Sequence, residues 1–443
     1  MPTKIRLLTE LDLPQWVGVI IDTANSCSEA APKSTVTAYR ATELHRTGNL
    51  EFHKFGQSRI FNAFRPAIVN RATKKVDYWL DKDNPLLKAD GTTSTPDWIT
   101  QNICVIVPTI YRALVVVGTT IETRLDIAAF DGAELWHEES AHSIGFAEMD
   151  RTDSMLVSVI SDDARFRGGN NDAGKDGTDA TQIGRPATSI SRTDFETYAN
   201  NAGWEIGNIK DRTLWHELTS LYFGNTNIQL AFTNVLTAEG YPQGGMGAGV
   251  TTWGGDWGTW NGYYPIHNTG AGSMAVGCKV GVHSITVNGH TEEIPVFFFL
   301  EHLYGEIWDW VGEVNIEKSA EIANGGTGIS SVYVCSEFAK RAATITADYT
   351  KVGEMARTDG YIKSLIPGWV IPLVTSGASD VAYMSDYGYG AGIPGSGVAV
   401  YGLLFGVPAN YGAYAGVRCS NSSYVPAGTY SRIGARLRAK ISH

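Results

Sequence analysis

YGLLFGVPANYGAYAGVRCSNSSYVPAGTYSRIGARL, residues 401–437, is the stretch on which the reading of this chain turns. It opens on an apolar run, Leu403-Leu404-Phe405, stopped by Gly406, and closes on Ile433-Gly434-Ala435-Arg436-Leu437. Between these anchors lie mainly tyrosine, serine, glycine, alanine and asparagine. From Ser364 to Ala435 there are four charged residues (Asp380, Asp386, Arg418 and Arg432), thirteen glycines, eight tyrosines, and no lysine or glutamate. Such a mixture suits a paratope. Tyrosine gives rigid amphipathic contact area at low rotamer cost, and serine, glycine and asparagine adapt their hydrogen bonds. Scarce charge marks the centre of a protein-binding surface. The competing reading is a Gly/Tyr-rich β core, but no regular alternation runs through Pro408–Arg432.

The rest of the chain shares this texture. Of 443 residues, 18% are charged, against roughly 25% in an ordinary soluble protein. With 49 glycines, 12 tryptophans and 20 tyrosines, it reads as loop-heavy and mostly β. The length suggests two to four domains, or fewer with long insertions. A net charge of −11 and a pI near 5.4 argue against broad nucleic-acid binding, which needs a basic face. The opening MPTKIRLLTELDLPQW has no apolar leader before Glu10 and Asp12. The most apolar stretch, Ile103–Ile121, contains Pro108 and Arg112 and reads as buried strands, not a membrane span. Cys27, Cys104, Cys278, Cys335 and Cys419 are odd in number and widely spaced, which argues for small buried hydrophobes over disulfides or a zinc site.

Strands are expected at Ser34–Tyr39, Leu50–Phe55, Val76–Leu80, Ile103–Val107, Tyr111–Val117, Thr120–Phe130, Met155–Ile160, Ile294–Leu300 and Ser331–Cys335. Thr193 and Glu196 have capping-box spacing for a helix that Gly203 would end. Asp211 is placed to cap a second helix with Leu214, Leu218, Leu221 and Tyr222 on its apolar face. Helical spacing continues weakly from Ile228 to Leu236, and Tyr349–Leu365 suggests one short helix.

Several motifs come close to chemistry and fall short. Gly169-x4-Gly174-Lys175 lacks the Ser or Thr of a phosphate loop and has Asp176 in that place. His137-Glu138 is followed by His142, five residues on, where a helical zinc motif needs four. Glu301, His302, Glu306 and Asp309 flank the most apolar strand and suit hydrogen bonding in a core. Trp253, Trp257 and Trp260 with Tyr263 and Tyr264 fit either a sugar-stacking platform or a loop-built core.

The chain resembles the variable proteins of diversity-generating retroelements, in the tail-fibre or receptor-binding form of phages and prophages, similar to the major tropism determinants. The resemblance is carried by Leu403–Gly406, Gly412, Ala415-Gly416 and Ile433–Leu437, and by Gly377-Ala378-Ser379, Tyr383 and Asp386-Tyr387 before them. Upstream it includes Arg165–Asn171, Gly184–Thr188, Ser191–Thr193, Glu239-Gly240-Tyr241, Pro295 and Glu301–Trp310, although His302, Leu303, Tyr304 and Glu306 depart from the family pattern. It implies an α+β protein with a C-type-lectin-like domain behind a β-rich N-terminal region. Its segments would be an attachment and oligomerisation region (1–60), a β-rich intermediate domain (61–160) and the lectin-like domain (161–443), with a variable region at about 380–437. It implies two helices near 193–222, a small antiparallel sheet and long Gly/Trp loops.

The implied function is recognition of a bacterial surface receptor, protein or glycan, from the surface of a virion. Other virion proteins would be partners through the N-terminal region, and the assembly would be a homotrimer. No nucleic acid, membrane insertion, cofactor, metal or catalytic residue is expected. The implied ligand-binding positions are Tyr383, Met384, Tyr387, Tyr389, Pro408, Asn410, Tyr411, Tyr414, Arg418, Cys419, Tyr424, Tyr430 and Arg432, with Asp386 turned inward. A structural decoration or shaft protein and a glycan-active enzyme are the alternatives. The lectin-like fold also serves formylglycine-generating enzymes, which need a cysteine pair; Cys335 and Cys419 are 84 residues apart in sequence.

Overall fold

The computed structural model describes residues 17–22, 36–40, 59–118, 120–161, 163, 165–167, 186–223, 280–287, 290–321, 327–377, 386–408, 411, 414–430 and 432–443. These residues are mostly β-sheet, with helices at Arg59–Ala63, Arg192–Asn200 and Ile209–Phe223. The expected strands at 50–55, the weak helix at 228–236, the near-miss phosphate loop and the Trp253–Tyr264 cluster lie outside them. Among the described residues, no helix is long and apolar enough to cross a membrane.

The β-branched runs read from sequence form two antiparallel sheets. In one, the order is Val36–Arg40, Val17–Asp22, Thr120–Asp126, Ile110–Val117 and Glu134–His137. The other runs Glu205–Ile206, Leu437–Lys440, Ser140–Ser143, Gln101–Val107, Arg65–Asn70 and Val76–Trp79. Gln101–Val107 is buried along nearly its whole length, as its Ile103-Cys104-Val105-Ile106-Val107 run requires. In this sheet the chain's last strand pairs with Ser140–Ser143, Arg438 opposite His142. One sheet and one apolar core therefore cross the boundary expected at 160/161. Segments 61–160 and 161–443 both contribute side chains to that core.

The largest sheet is also larger than expected. Its path is Thr350–Glu354, Ser330–Val334, Trp308–Ser319, Val398–Phe405, Ser420–Asn421, Tyr387–Tyr389, Gly360–Leu365 and Pro372–Ser376, with Ile433–Gly434 beside Trp308 and Asp309. Gly360–Leu365 and Thr350–Glu354 replace the helix expected over 349–365. Tyr361 and Ile362 both go into the core because each face of that strand is covered. Trp308–Ser319 is likewise buried on both faces, with Trp308 and Trp310 inaccessible. It bulges between Val311 and Asn315. Gly312 sits there, where a Cβ would stand 2.8 Å from Glu196 Oε1. Arg192 satisfies the bulge, donating to the Val314 carbonyl at 2.6 Å and to Asn315 Oδ1 at 2.7 Å.

Both helices form, with capping shifted from the sequence reading. Ser191, not Thr193, caps Arg192–Asn200, accepting the Asp194 amide at 3.1 Å. Glu196 is buried in the core and does not reach back to the helix start. Gly203 follows the helix at φ +69°, a left-handed turn that favours glycine. Ile209–Phe223 begins with a reciprocal pair: Asn208 Oδ1 accepts the Asp211 amide at 2.8 Å, and Asp211 Oδ2 accepts the Asn208 amide at 3.3 Å. This helix is buried from Asp211 to Leu221, so its polar face needs partners inside. Glu217 receives Arg112 Nε at 2.8 Å, and Arg212 pairs with Asp309. The acidic and imidazole groups at Glu301, His302, Glu306 and Asp309 are all buried; Arg436 donates to the Glu301 carbonyl at 2.6 Å. Cys104, Cys335 and Cys419 are free, buried thiols.

Candidate functional site

Tyr387-Gly388-Tyr389 is a short strand, and alternation puts its two rings on one face. Gly388 turns the other way, into Pro372 and Thr375, where a Cβ would already stand 3.3 Å from each. The rings of Tyr387 and Tyr389 lie 4.8 Å apart. Tyr414 packs on Tyr387 at 4.5 Å, and Tyr411 meets Tyr389 edge-on at 5.6 Å. Beneath them, Trp308 touches Tyr389 at 6.0 Å and Tyr411 at 6.2 Å. Arg432 donates to the Tyr424 hydroxyl at 2.7 Å, and the Tyr424 ring meets Tyr430 at 4.7 Å. Arg432 and Tyr424 both act electrostatically on Tyr411, so the two groups of rings adjoin. Burial pushes the Tyr387, Tyr389 and Tyr411 phenols up, so all three remain neutral and able to donate.

The floor under this face is pinned by buried charge. Asp386 Oδ2 accepts the Arg418 amide at 2.9 Å and lies 3.4 Å from Arg418 Nη1, with both side chains inaccessible. Burial lifts the Asp386 carboxyl to about 6, opposed by Arg418. Gly416 admits this carboxylate; a Cβ there would stand 1.8 Å from Asp386 Oδ1. Arg418 continues inward to Ser220 Oγ at 2.6 Å and to His216 Nδ1, so the Ile209–Phe223 helix anchors the loop. Burial, with Arg418 and Arg112 nearby, holds His216 far below the usual histidine range, and the neutral ring accepts. On the other side Lys318 donates to the Gly390 and Gly392 carbonyls at 2.8 and 3.0 Å and to Ser422 Oγ at 2.7 Å. Burial lowers its ammonium to about 7.

Of the positions named from the sequence, Tyr414 and Tyr430 are exposed, at 40% and 39%. Tyr387, Tyr389, Tyr411, Tyr424 and Arg432 are half-buried, with their rings or head group at the face. Three assignments are corrected. Arg418 is inaccessible because its guanidinium is consumed by Asp386, His216 and Ser220. Cys419 is a core thiol, raised well above its ordinary pKa by burial and by Asp386. Pro408 is buried where its backbone bridges to Glu306. Tyr383, Met384 and Asn410 lie outside the described residues. Asp386 is inward and hydrogen-bonded.

Two contributors escaped the sequence reading. Tyr361, 4% exposed, supports Tyr387 at 5.3 Å and Tyr414 at 5.9 Å; its place in a strand was the missing signal. Asp359 is exposed beside the rings, accepting the Ala391 amide at 2.9 Å, and adds negative charge to a face read as nearly free of it. Among the described residues, one set of side chains has metal-ligand spacing: His137, His142 and Asp211. Among the described residues, the face offers contact area, phenol hydrogen bonds and the Arg432 guanidinium. No protein-family model and no curated protein matches the chain.

Proposed function

We propose that this chain is a receptor-binding protein of a phage or prophage, and that its tyrosine face recognises a ligand on the bacterial surface. One observation carries the reading: Tyr387, Tyr389, Tyr411, Tyr414, Tyr424, Tyr430 and Arg432 converge on one face. Their backbones are held from below by Asp386, Arg418 and Lys318. A large aromatic patch at a protein surface costs solubility and marks an interaction site. Tyrosine and arginine are the side chains that most often dominate binding energy. A floor that is already rigid spares the ordering cost of binding.

The surrounding fold is proposed to be C-type-lectin-like, consistent with the helices at Arg192–Asn200 and Ile209–Phe223 preceding the sheet that bears the face. Virion location and a homotrimer, built with help from residues 1–60, complete the proposal; three faces would raise weak contacts by avidity.

Its test is natural variation. If the gene stands beside a template repeat and a reverse transcriptase, substitutions among sister copies will collect at the face positions. They will spare Gly416, Asp386 and the Leu403–Phe405 core. Substitutions spread evenly over core and face would overturn the proposal.

A further inference from the structure

His137 closes the Glu134–His137 strand, and His142 lies in Ser140–Ser143, which belongs to a different sheet. The chain turns a corner at Glu138-Glu139, and the two imidazoles face each other across it. Their Nε2 atoms are 3.3 Å apart. Ser140 Oγ stands 3.0 and 2.9 Å from them. Asp211, in the first turn of the Ile209–Phe223 helix, brings Oδ1 to 3.5 Å from His137 Nε2. All three ligand-type side chains are buried, at 3%, 5% and 2% exposure.

Outer contacts orient two of the three side chains, His137 and Asp211. His137 Nδ1 lies 3.1 Å from the Pro108 carbonyl, which can only accept, so Nδ1 carries the proton and Nε2 offers a lone pair. Asp211 Oδ2 is ion-paired with Arg438, whose Nε lies 3.1 Å away, and accepts the Asn208 amide. Asp211 Oδ1 is buried without a well-formed hydrogen bond; His137 Nε2 faces it at 3.5 Å. A buried acceptor aimed at another acceptor is costly without a cation between them. Outer contacts of this kind, a carbonyl behind a histidine and an arginine behind a carboxylate, orient metal ligands elsewhere.

The spacing fits. Ligands at zinc's bond lengths of ~2.0–2.1 Å are about 3.3–3.5 Å apart along the edges of a tetrahedron. His137 Nε2 lies 3.3 Å from His142 Nε2 and 3.5 Å from Asp211 Oδ1, and the three ligand atoms all lie within 4.8 Å of one another, so His142 and Asp211 need only a small shift to close on one ion. A cleft of about 360 Å³, lined by Trp136, Glu138, Glu205 and Glu313, opens on His137 and Asp211 and gives a route in. Glu205 and Glu313 offset the arginines there; Arg438 lies 3.3 Å from Glu205, and Arg341 2.9 Å from it.

We propose that His137, His142 and Asp211 bind one divalent cation of the zinc class, with a water from the cleft completing the tetrahedron. The cation would tie the two sheets to the helix that also holds Arg418, and so stiffen the base of the tyrosine face. The competing arrangement is a direct contact of His137 Nε2 with Asp211 Oδ1 in place of a shared ion, and it binds no metal.

The test uses the full chain, stripped with a chelator and titrated with Zn²⁺ or Co²⁺ alone. One equivalent should bind, cobalt should give the intense visible absorption of a tetrahedral ion, and zinc should displace it. X-ray absorption of the zinc-loaded wild type should show two imidazole nitrogens and no sulfur. His142→Gln and Asp211→Asn should each weaken binding by at least ~100-fold, beyond what loss of an outer contact does. His443→Ala, at an exposed histidine, should change nothing. Failure of the wild type to take up an equivalent, a sulfur or all-oxygen shell, or unchanged affinity in a folded His142→Gln variant would each overturn the proposal. The absorption measurement decides it even where the variants do not fold.

Discussion

Arg418→Met removes the charge that Asp386 faces while keeping most of the side chain's length. In the wild type neither group touches water, and Arg418 also donates to Ser220 and His216. Losing one partner of a buried pair costs ~3–5 kcal/mol, because the remaining charge is stranded. Here the lower end applies, about 3 kcal/mol, for two reasons. The Arg418 amide still donates to Asp386 at 2.9 Å. The carboxyl is already lifted to about 6, so it takes a proton readily once its partner is gone. Adding Asp386→Asn should recover ~1–2 kcal/mol, since the double variant buries no charge. The assay is urea unfolding followed by tryptophan fluorescence, read as a lower midpoint at unchanged slope. A single variant within ~0.5 kcal/mol of wild type would refute the reasoning, for that is how a surface position behaves.

Other perturbations separate floor from face. Trp308→Ala should cost ~3–5 kcal/mol in the same urea assay, as it empties a fully buried site beneath Tyr389 and Tyr411. Gly416→Ala should cost ~1–3 kcal/mol, because its Cβ would overlap the Asp386 carboxylate. Lys318 gives a pH signature. Its folded pKa of about 7 lies below the 10.5 of the unfolded chain, so the unfolded state holds the extra proton between those values. Stability should therefore rise with pH across that window, and Lys318→Met should flatten the rise in unfolding midpoints measured from pH 7 to 10.

The sequence announced the parts of this fold that depend on local pattern. Ile103–Val107 became a buried strand, and the strand expected over Ile294–Leu300 is one as far as Phe297, where Phe298 and Phe299 turn the chain at positive φ into Leu300–Glu301. The anchors Leu403–Phe405 and Ile433–Leu437 hold the sheet and core as their composition suggests. What failed depends on distant partners. Arg418 looks like a surface residue in a polar loop, and Asp386, Ser220 and His216, the last 202 positions away, make it an interior one. The Ile209–Phe223 helix shows one apolar face in sequence, yet its polar face is buried too, because Arg112, Asp309 and Arg418 come from three other segments. His137 and His142 have the wrong spacing for a helix and meet only because the chain changes sheets between them. The 349–365 segment has apolar residues at mixed spacings, and pairing with Ser330–Val334 and Pro372–Ser376 decides for strand.

The central claim is that the tyrosine face binds while the floor folds. Its direct test is adsorption of the purified full chain to a panel of bacterial surfaces, comparing wild type with Tyr414→Ser/Tyr430→Ser. Both rings are about two-fifths exposed, so the unfolding free energies should agree within ~1 kcal/mol for the two changes together. Each hot-spot tyrosine is worth ~2 kcal/mol on truncation, about 30-fold in affinity. The account predicts a surface that the wild type binds and the double variant, equally folded, loses by more than that factor. A double variant that binds every surface as tightly as the wild type would contradict it.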